Sequence, residues 1–270
     1  MKNSRIQKFT LLVFSLLVLV VAIPVAASTA GEVRELKEEV KVLQQGQEQM
    51  QKDLTEIKKL LEQGAKAAPA PTARTPFEAK DLEVGKSAFQ GNADATVTLF
   101  AYSDYQCPYC RRHATMVMPQ VVKEYVDSGK LRLVMREYPI ETIHPRAFAA
   151  AQAALCAGTK GKYWEMHDLI FANQKALSDD ELKSHAQTLE LDAAGFEACL
   201  SDEETDNRIR AEIQEAQSMG ITGTPSFVIG LTDPEDSNEV RVTQYIRGAQ
   251  PFTAFQGAID SLLKEAAEAE

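Results

Sequence analysis

The sequence predicts an α/β sheet domain that carries an all-helical insertion and follows a long coiled-coil helix. Three observations lead there. Signals in the second part of the chain run strand, helix, strand, helical block, strand, strand, helix, the order of a small mixed sheet covered by helices. Between Val33 and Leu61 the apolar residues alternate at three- and four-residue spacing. A Cys107-Pro108-Tyr109-Cys110 motif separates a strand-like run from a helix-like one.

The chain has 270 residues, enough for one large domain or two small ones. Lys and Arg number 29 against 39 Asp and Glu, a net charge of −10 that argues against nucleic acid as a partner.

Residues 1–27 have the form of an export signal. Lys2, Arg5 and Lys8 make a basic start, and Phe9 to Ile23 is apolar apart from Thr10 and Ser15. Pro24-Val25-Ala26-Ala27-Ser28 then offers a break and small residues for cleavage. The competing reading is an uncleaved signal anchor, because Phe9 to Ala27 is long enough to span a bilayer. Either way the remainder is expected in the periplasm or cell envelope, held at the inner membrane in the second case. Disulfides persist there.

Residues 31–63 read as a coiled-coil stalk. With Val33 at position a, the a series is Val33, Val40, Gln47, Leu54 and Leu61, and the d series is Leu36, Leu43, Met50 and Ile57. Glu32 with Lys37 and Asp53 with Lys58 supply g-to-e′ pairs of opposite sign. A narrow seam between charged, Gln-rich flanks suits a partner helix better than a broad core does, so a homo-oligomer is expected, with Gln47 fixing register. Residues 64–76, rich in Ala and Pro, form a semi-extended linker.

A globular domain is expected over residues 77–268. Gly91-Asn92-Ala93-Asp94 turns into a strand at Thr96–Tyr102. A helix follows from Pro108 to Asp127, kinked by Pro119 and ended at Ser128-Gly129. Leu131, Leu133 and Met135 alternate with Arg132, Val134 and Arg136 in a second strand. The insertion, about 144–219, opens with the small apolar run Ala147 to Ala157 and a helix over Lys162 to Ala172. Capping boxes are read at Ser178–Glu181 and Ser201–Glu204, and a short helix begins at Asp192. Strands return at Ser226–Ile229 and Val240–Ile246, and a last helix carries Phe252, Phe255, Ile259 and Leu262.

Two cysteines three apart at a helix start can close and reopen a small disulfide ring. Cys107 lies where free N–H groups and the helix dipole favour negative charge, which makes it the attacking thiolate. Cys110, one turn in and more shielded, is placed to resolve a mixed disulfide.

Several stretches together resemble the DsbA-like thioredoxin-fold oxidoreductases of bacterial envelopes. They are Tyr102 to Cys110, Arg136-Glu137-Tyr138-Pro139, Gly161 to Asp168, and Gly220-Ile221-Thr222-Gly223-Thr224-Pro225-Ser226-Phe227. The resemblance spans about Glu83 to Leu263. It implies a thioredoxin-like fold and a cis Thr224-Pro225 peptide facing the motif, where a substrate strand pairs with the backbone before the proline. It also implies that Pro225 keeps metal from the thiols. Many relatives carry a buried acid six residues before the first cysteine; here that position is Ala101, leaving proton transfer to water or another group. Pro108 and Tyr109 tune the site, and Pro-Tyr lacks the imidazole of the strongly oxidising Pro-His form.

Rival readings of the four cysteines are a zinc site and passive disulfides. Cys156 and Cys199 are isolated, so no metal centre is expected. So tight a ring at Cys107–Cys110 closes almost no loop entropy, which argues against a purely structural bond. Cys156 and Cys199 fall on apolar helix faces; export favours their pairing as a structural disulfide, the alternative being two buried thiols. His113, His144, His167 and His185 read as surface or packing residues.

The expected activity is thiol–disulfide exchange with cysteine-containing exported proteins, oxidase-type, needing no cofactor and served by a membrane or envelope redox partner. An oligomeric stalk suits the alternative of an isomerase or reductase. Two further alternatives are a non-catalytic oligomeric holdase and an enzyme of small glutathione-like thiols.

Overall fold

The computed structural model describes residues 33–56, 58 and 77–269. The segment 1–27 and the linker 64–76 lie outside the described residues. The chain divides into two units, Met1–Arg74 and Thr75–Glu270.

In the first unit residues 33–56 form one helix, α1. Its heptad residues Val33, Leu36, Val40, Leu43, Met50 and Leu54 are all exposed, none by less than 49%. Among the described residues no helix is long and apolar enough to cross a membrane.

The second unit is built on a six-stranded mixed sheet. Its strands are β1 (Lys80–Glu83), β2 (Phe89–Gln90), β3 (Val97–Ser103), β4 (Leu131–Glu137), β5 (Ser226–Thr232) and β6 (Glu239–Arg247). They lie in the order β1-β6-β5-β3-β4-β2. β3 runs parallel to β4 and antiparallel to β5, so it sits at the centre with every residue buried. Val97, Leu99 and Ala101 face one apolar cluster, and Phe100 and Tyr102 face another, the alternation a strand imposes. Between Ile229 and Gly230 the β5–β6 ladder shifts register. A Cβ at Gly230 would meet the Arg241 carbonyl oxygen at 1.9 Å, so only glycine admits so close a backbone approach.

After β3 one helical rod runs through α2 (Pro108–Arg112), a π turn at His113–Val117, α3 (Met118–Val121) and a second π turn at Val122–Val126. Its irregularity therefore begins a turn before Pro119, consistent with a ring that cannot donate to the preceding turn. The insertion comprises α4 (Ala147–Gly158), α5 (Tyr163–Ala172), α6 (Asp179–Thr188), α7 (Ala193–Leu200) and α8 (Glu203–Ser218). The C-terminal helix α9 (Phe252–Ala269) buries Phe255, Ile259 and Leu262 against the sheet.

Three local readings change. β1 and β2 are short edge strands that the sequence does not announce, two to four residues each. β4 is buried along its whole length, arginines included. Arg136 is covered by Glu215 of α8, its Nε 2.9 Å from Oε1, and Arg132 donates to Thr98 Oγ1 at 3.0 Å. The α8 cap is Asp202, accepting from Glu204 N at 3.0 Å, and not Ser201. Ser178, by contrast, forms a full capping box with Glu181.

Candidate active site

The site stands where β3 ends, at the carboxyl edge of the parallel β3–β4 pair. Residues 104–106 turn the chain into α2, with Cys107 as its N-cap and Pro108 at the first helical position, where a missing N–H costs nothing. Cys107 and Cys110 are both free thiols, 4% and 1% exposed. The chain returns to this point at the start of β5, where Thr224-Pro225 is a cis peptide. The Cys107 thiol donates to the Thr224 carbonyl oxygen at 3.5 Å.

The two sulfurs differ in environment. The Cys107 thiol is lowered to about 6, first by the hydrogen bond from the Cys110 thiol, against the opposing effect of burial. The N–H groups of Cys110 and Tyr109 and the Thr224 side chain add to the lowering. Cys110 is pushed well above the ordinary thiol range, chiefly by burial, then by Cys107 itself. Thr224 Oγ1 is buried without an oxygen or nitrogen partner, and its hydroxyl favours negative charge on either sulfur. A pair so arranged offers one ready nucleophile and leaving group beside one protonated thiol held in reserve.

The flanks of the motif are unlike each other. Tyr109 is 59% exposed, and the Arg112 guanidinium lies over its ring at 5.6 Å. Arg112 also donates to the Ala249 carbonyl at 2.9 Å. Beside Pro108 and Gln106 opens a groove of about 740 Å³ walled by Arg146, Gln174, Lys175 and Asp179.

Beneath the motif polar groups form a linked network, with Glu137 Oε2 left without a partner. Gln174 donates to the carbonyls of Tyr105 and Cys107, each at 2.8 Å. Asp104 is buried, and its backbone N–H faces Cys110 Sγ at 3.4 Å. Its carboxylate reaches His144, which the sequence reading left among surface or packing residues. Tyr105 donates to the Tyr163 hydroxyl at 3.3 Å, and Tyr163 donates to Glu137 Oε1 at 2.6 Å. Burial, then the charge of Glu212, raises the Glu137 carboxyl to about 8. Thus position 101 holds a buried alanine, while two buried acids, Asp104 and Glu137, stand on the strand ends next to it. The sequence signal that could have found them is the acidic residue just after each of the two central strands' apolar runs.

Away from the motif, Cys156 of α4 and Cys199 of α7 form a disulfide. His113 packs between Phe227 and Phe255, with ring centroids 4.4 and 5.0 Å away. No cluster of metal-binding side chains occurs among the described residues.

The sequence model described as Thioredoxin (Thioredoxin_4) matches residues 83–246. The sodium/proton antiporter NhaA 3 of Salinispora tropica is 34% identical over 173 residues, covering 61% of this chain and 26% of that protein. The chain thus spans about a quarter of the length of the curated relatives it matches. Among solved structures, alpha-DsbA1 of Wolbachia pipientis superposes with a TM-score of 0.60 at 22% identity, over 70% of this chain and 97% of that one. A thioredoxin-like oxidoreductase of Silicibacter pomeroyi gives 0.54 at 29% identity, over 67% of this chain and 94% of that one.

Proposed function

The chain belongs to the thioredoxin family and has a DsbA-like fold; from that premise we propose that it is a protein disulfide oxidoreductase, that Cys107 and Cys110 are its redox centre and that it works in the oxidase direction on exported proteins. The observation that carries the reading is the placement of the two thiols, Cys107 at the N-cap of α2 against the Thr224 carbonyl and Cys110 buried one turn in.

In the oxidised protein a substrate thiolate attacks Cys107 Sγ, and the Cys107–Cys110 bond breaks with its electron pair going to Cys110. Cys110, whose buried site disfavours charge, takes up a proton. A second substrate thiolate then attacks the substrate sulfur of the mixed disulfide. Cys107 departs as a thiolate, which its low pKa makes a good leaving group. The substrate gains a disulfide and the enzyme is left as a dithiol, to be reoxidised by an envelope partner. Thr224 offers its carbonyl to a substrate backbone N–H when the Cys107 thiol no longer donates to it. Exposed Tyr109 supplies an apolar contact beside the sulfur.

Residues 1–27 supply export or anchoring in this reading, and the exposed heptad seam of α1 joins copies of the chain. That seam also favours a second reading, an oligomeric isomerase or reductase, since several redox domains on one stalk hold a misfolded substrate by avidity. The test is oxidation of a reduced, disulfide-dependent enzyme by the oxidised chain and by Cys107→Ser. Recovery of that enzyme's activity only with the intact motif supports catalysis here. Equal recovery with Cys107→Ser would remove the motif from the reaction.

A further inference from the structure

Asp104 contacts the redox loop, the second cysteine and the segment that leads into the helical insertion. Its carboxylate is wholly shielded from solvent. Oδ1 accepts from Gln106 N at 2.8 Å and from Cys107 N at 3.1 Å. Oδ2 accepts from Ile140 N at 2.8 Å and lies 2.9 Å from His144 Nδ1. A carboxylate only accepts, so Nδ1 carries the hydrogen. Meanwhile the Asp104 backbone N–H points at Cys110 Sγ. One residue therefore touches the backbone of the first cysteine and the sulfur of the second. The same residue ties both to the segment that leads into the helical insertion. Gln106 doubles the tie, its Oε1 accepting from Arg146 N.

The charge here has a direction. The Cys107 sulfur lies three covalent bonds beyond the nitrogen that Asp104 holds, so a buried negative charge stands close to where the thiolate forms. Like charges oppose each other, most strongly where water is excluded. The carboxylate also engages the Cys107 N–H, which it shares at 3.1 Å with the Asp104 backbone carbonyl oxygen. His144, four-fifths buried over its side chain, is the donor that offsets this charge from the other side.

We propose that Asp104 is a positioning residue of the redox centre and that the Asp104–His144 pair sets how far the dithiol is favoured over the disulfide. This rests on the functional reading above. Asp104 holds the loop in place at a cost to the thiolate, and His144 limits that cost. The pair thereby restrains the oxidising strength that the helix N-terminus confers on Cys107.

The test is the equilibrium of the full chain with glutathione, in which two glutathione thiols become one glutathione disulfide as Cys107–Cys110 is reduced to two thiols. Asp104→Asn, which keeps an acceptor for the two loop amides but removes the charge, is expected to raise that constant about tenfold, equal to about 30 mV. His144→Ala, which leaves the charge less offset, is expected to lower it several-fold. His144→Asn, whose amide nitrogen falls where Nδ1 lies, is expected to restore it. A merely structural role would move both sites' variants in the same direction or not at all, and either result overturns the proposal. If Asp104→Asn does not fold, the His144→Ala shift and its rescue decide the matter, and no shift there overturns it. A wild-type chain that failed to equilibrate with glutathione would instead overturn the functional reading, and this proposal with it.

Discussion

Cys107 Sγ lies 3.5 Å from the carbonyl oxygen of Thr224, a residue 117 positions further along the chain. This one contact joins the start of α2 to the start of β5 and, in the proposed reading, places the attacking sulfur against the backbone that a substrate strand meets. The sheet makes it possible, because β3 and β5 are antiparallel neighbours with Tyr102 opposite Ser226. The loop after one strand and the loop before the other therefore share an edge.

If Cys107 is the attacking sulfur, Cys107→Ser reduces disulfide transfer to the uncatalysed level. Cys110→Ala still forms the first bond but cannot resolve it. Incubation of Cys110→Ala with substrate disulfides should accumulate a covalent adduct on Cys107, read by mass spectrometry under non-reducing conditions. An adduct on any other residue would contradict the assignment.

The pH dependence of Cys107 follows from its surroundings. Its rate of alkylation should be half-maximal near pH 6. In Cys110→Ala the midpoint should move up, because the Cys110 thiol is the largest lowering influence. The folded thiol ionises before the unfolded one, so between about pH 6 and the ordinary thiol value of 9.0 the unfolded state holds more protons. This contribution to the reduced protein's stability is present above that window and lost as pH falls through about 6. Denaturant melts of reduced protein at stepped pH check the sign.

Glu137 has the opposite sign. Its folded carboxyl is raised from 4.5 to about 8, so the native state keeps a proton that the unfolded state releases. The associated stability is present below pH 4.5 and lost as pH rises through about 8. Glu137→Gln, which still accepts from Tyr163, should flatten this decline and leave the protein more stable at pH 9 by an amount on the order of a few kcal/mol. Equal pH slopes for the two proteins would mean that Glu137 is ionised in the native state.

Cys156–Cys199 spans 43 residues of sequence and bridges α4 to α7. In the chain-entropy account such a link is worth about 4 kcal/mol. Replacing both cysteines by alanine should lower the melting temperature by about 10 °C. Disulfide transfer at 25 °C should be retained, since neither sulfur touches the motif. Loss of transfer in a chain that remains folded would assign this pair a part in turnover.

Leu43, at a d position of the stalk, is 72% exposed. If α1 joins copies of the chain, Leu43→Glu should convert an oligomer to a monomer in sedimentation while leaving transfer to a small peptide unchanged. A wild-type chain that sediments as a monomer would contradict the self-association.

Much of this was legible in the sequence because it is local. The two-residue period of β3, the motif between strand and helix, the capping box at Ser178 and the heptads of α1 all depend on residues near one another. The motifs that carry the family resemblance also carry the fold. What escaped depends on contacts across the chain. β1 and β2 are strands only because β6 and β4 offer them edges. Arg132 and Arg136 alternate with apolar residues as if half of β4 faced water, yet inside the protein they donate to Thr98 and Glu215. His144 looked like any loop histidine, since its partner Asp104 is 40 residues away in sequence. The chain of Tyr105, Tyr163 and Glu137 likewise gathers three separate segments. Buried polar groups find partners by topology, and topology is what a local pattern does not contain.

The central claim is that Cys107 and Cys110 form a redox couple poised to donate disulfides. The most direct measurement is the equilibrium reduction potential of that couple in glutathione buffers, on the full chain. The thiolate is activated but not extreme, so the account predicts a value less negative than about −200 mV, towards the strong oxidants near about −120 mV. A value near about −270 mV, as in thioredoxin, would contradict the oxidase direction and assign the chain to reduction or isomerisation.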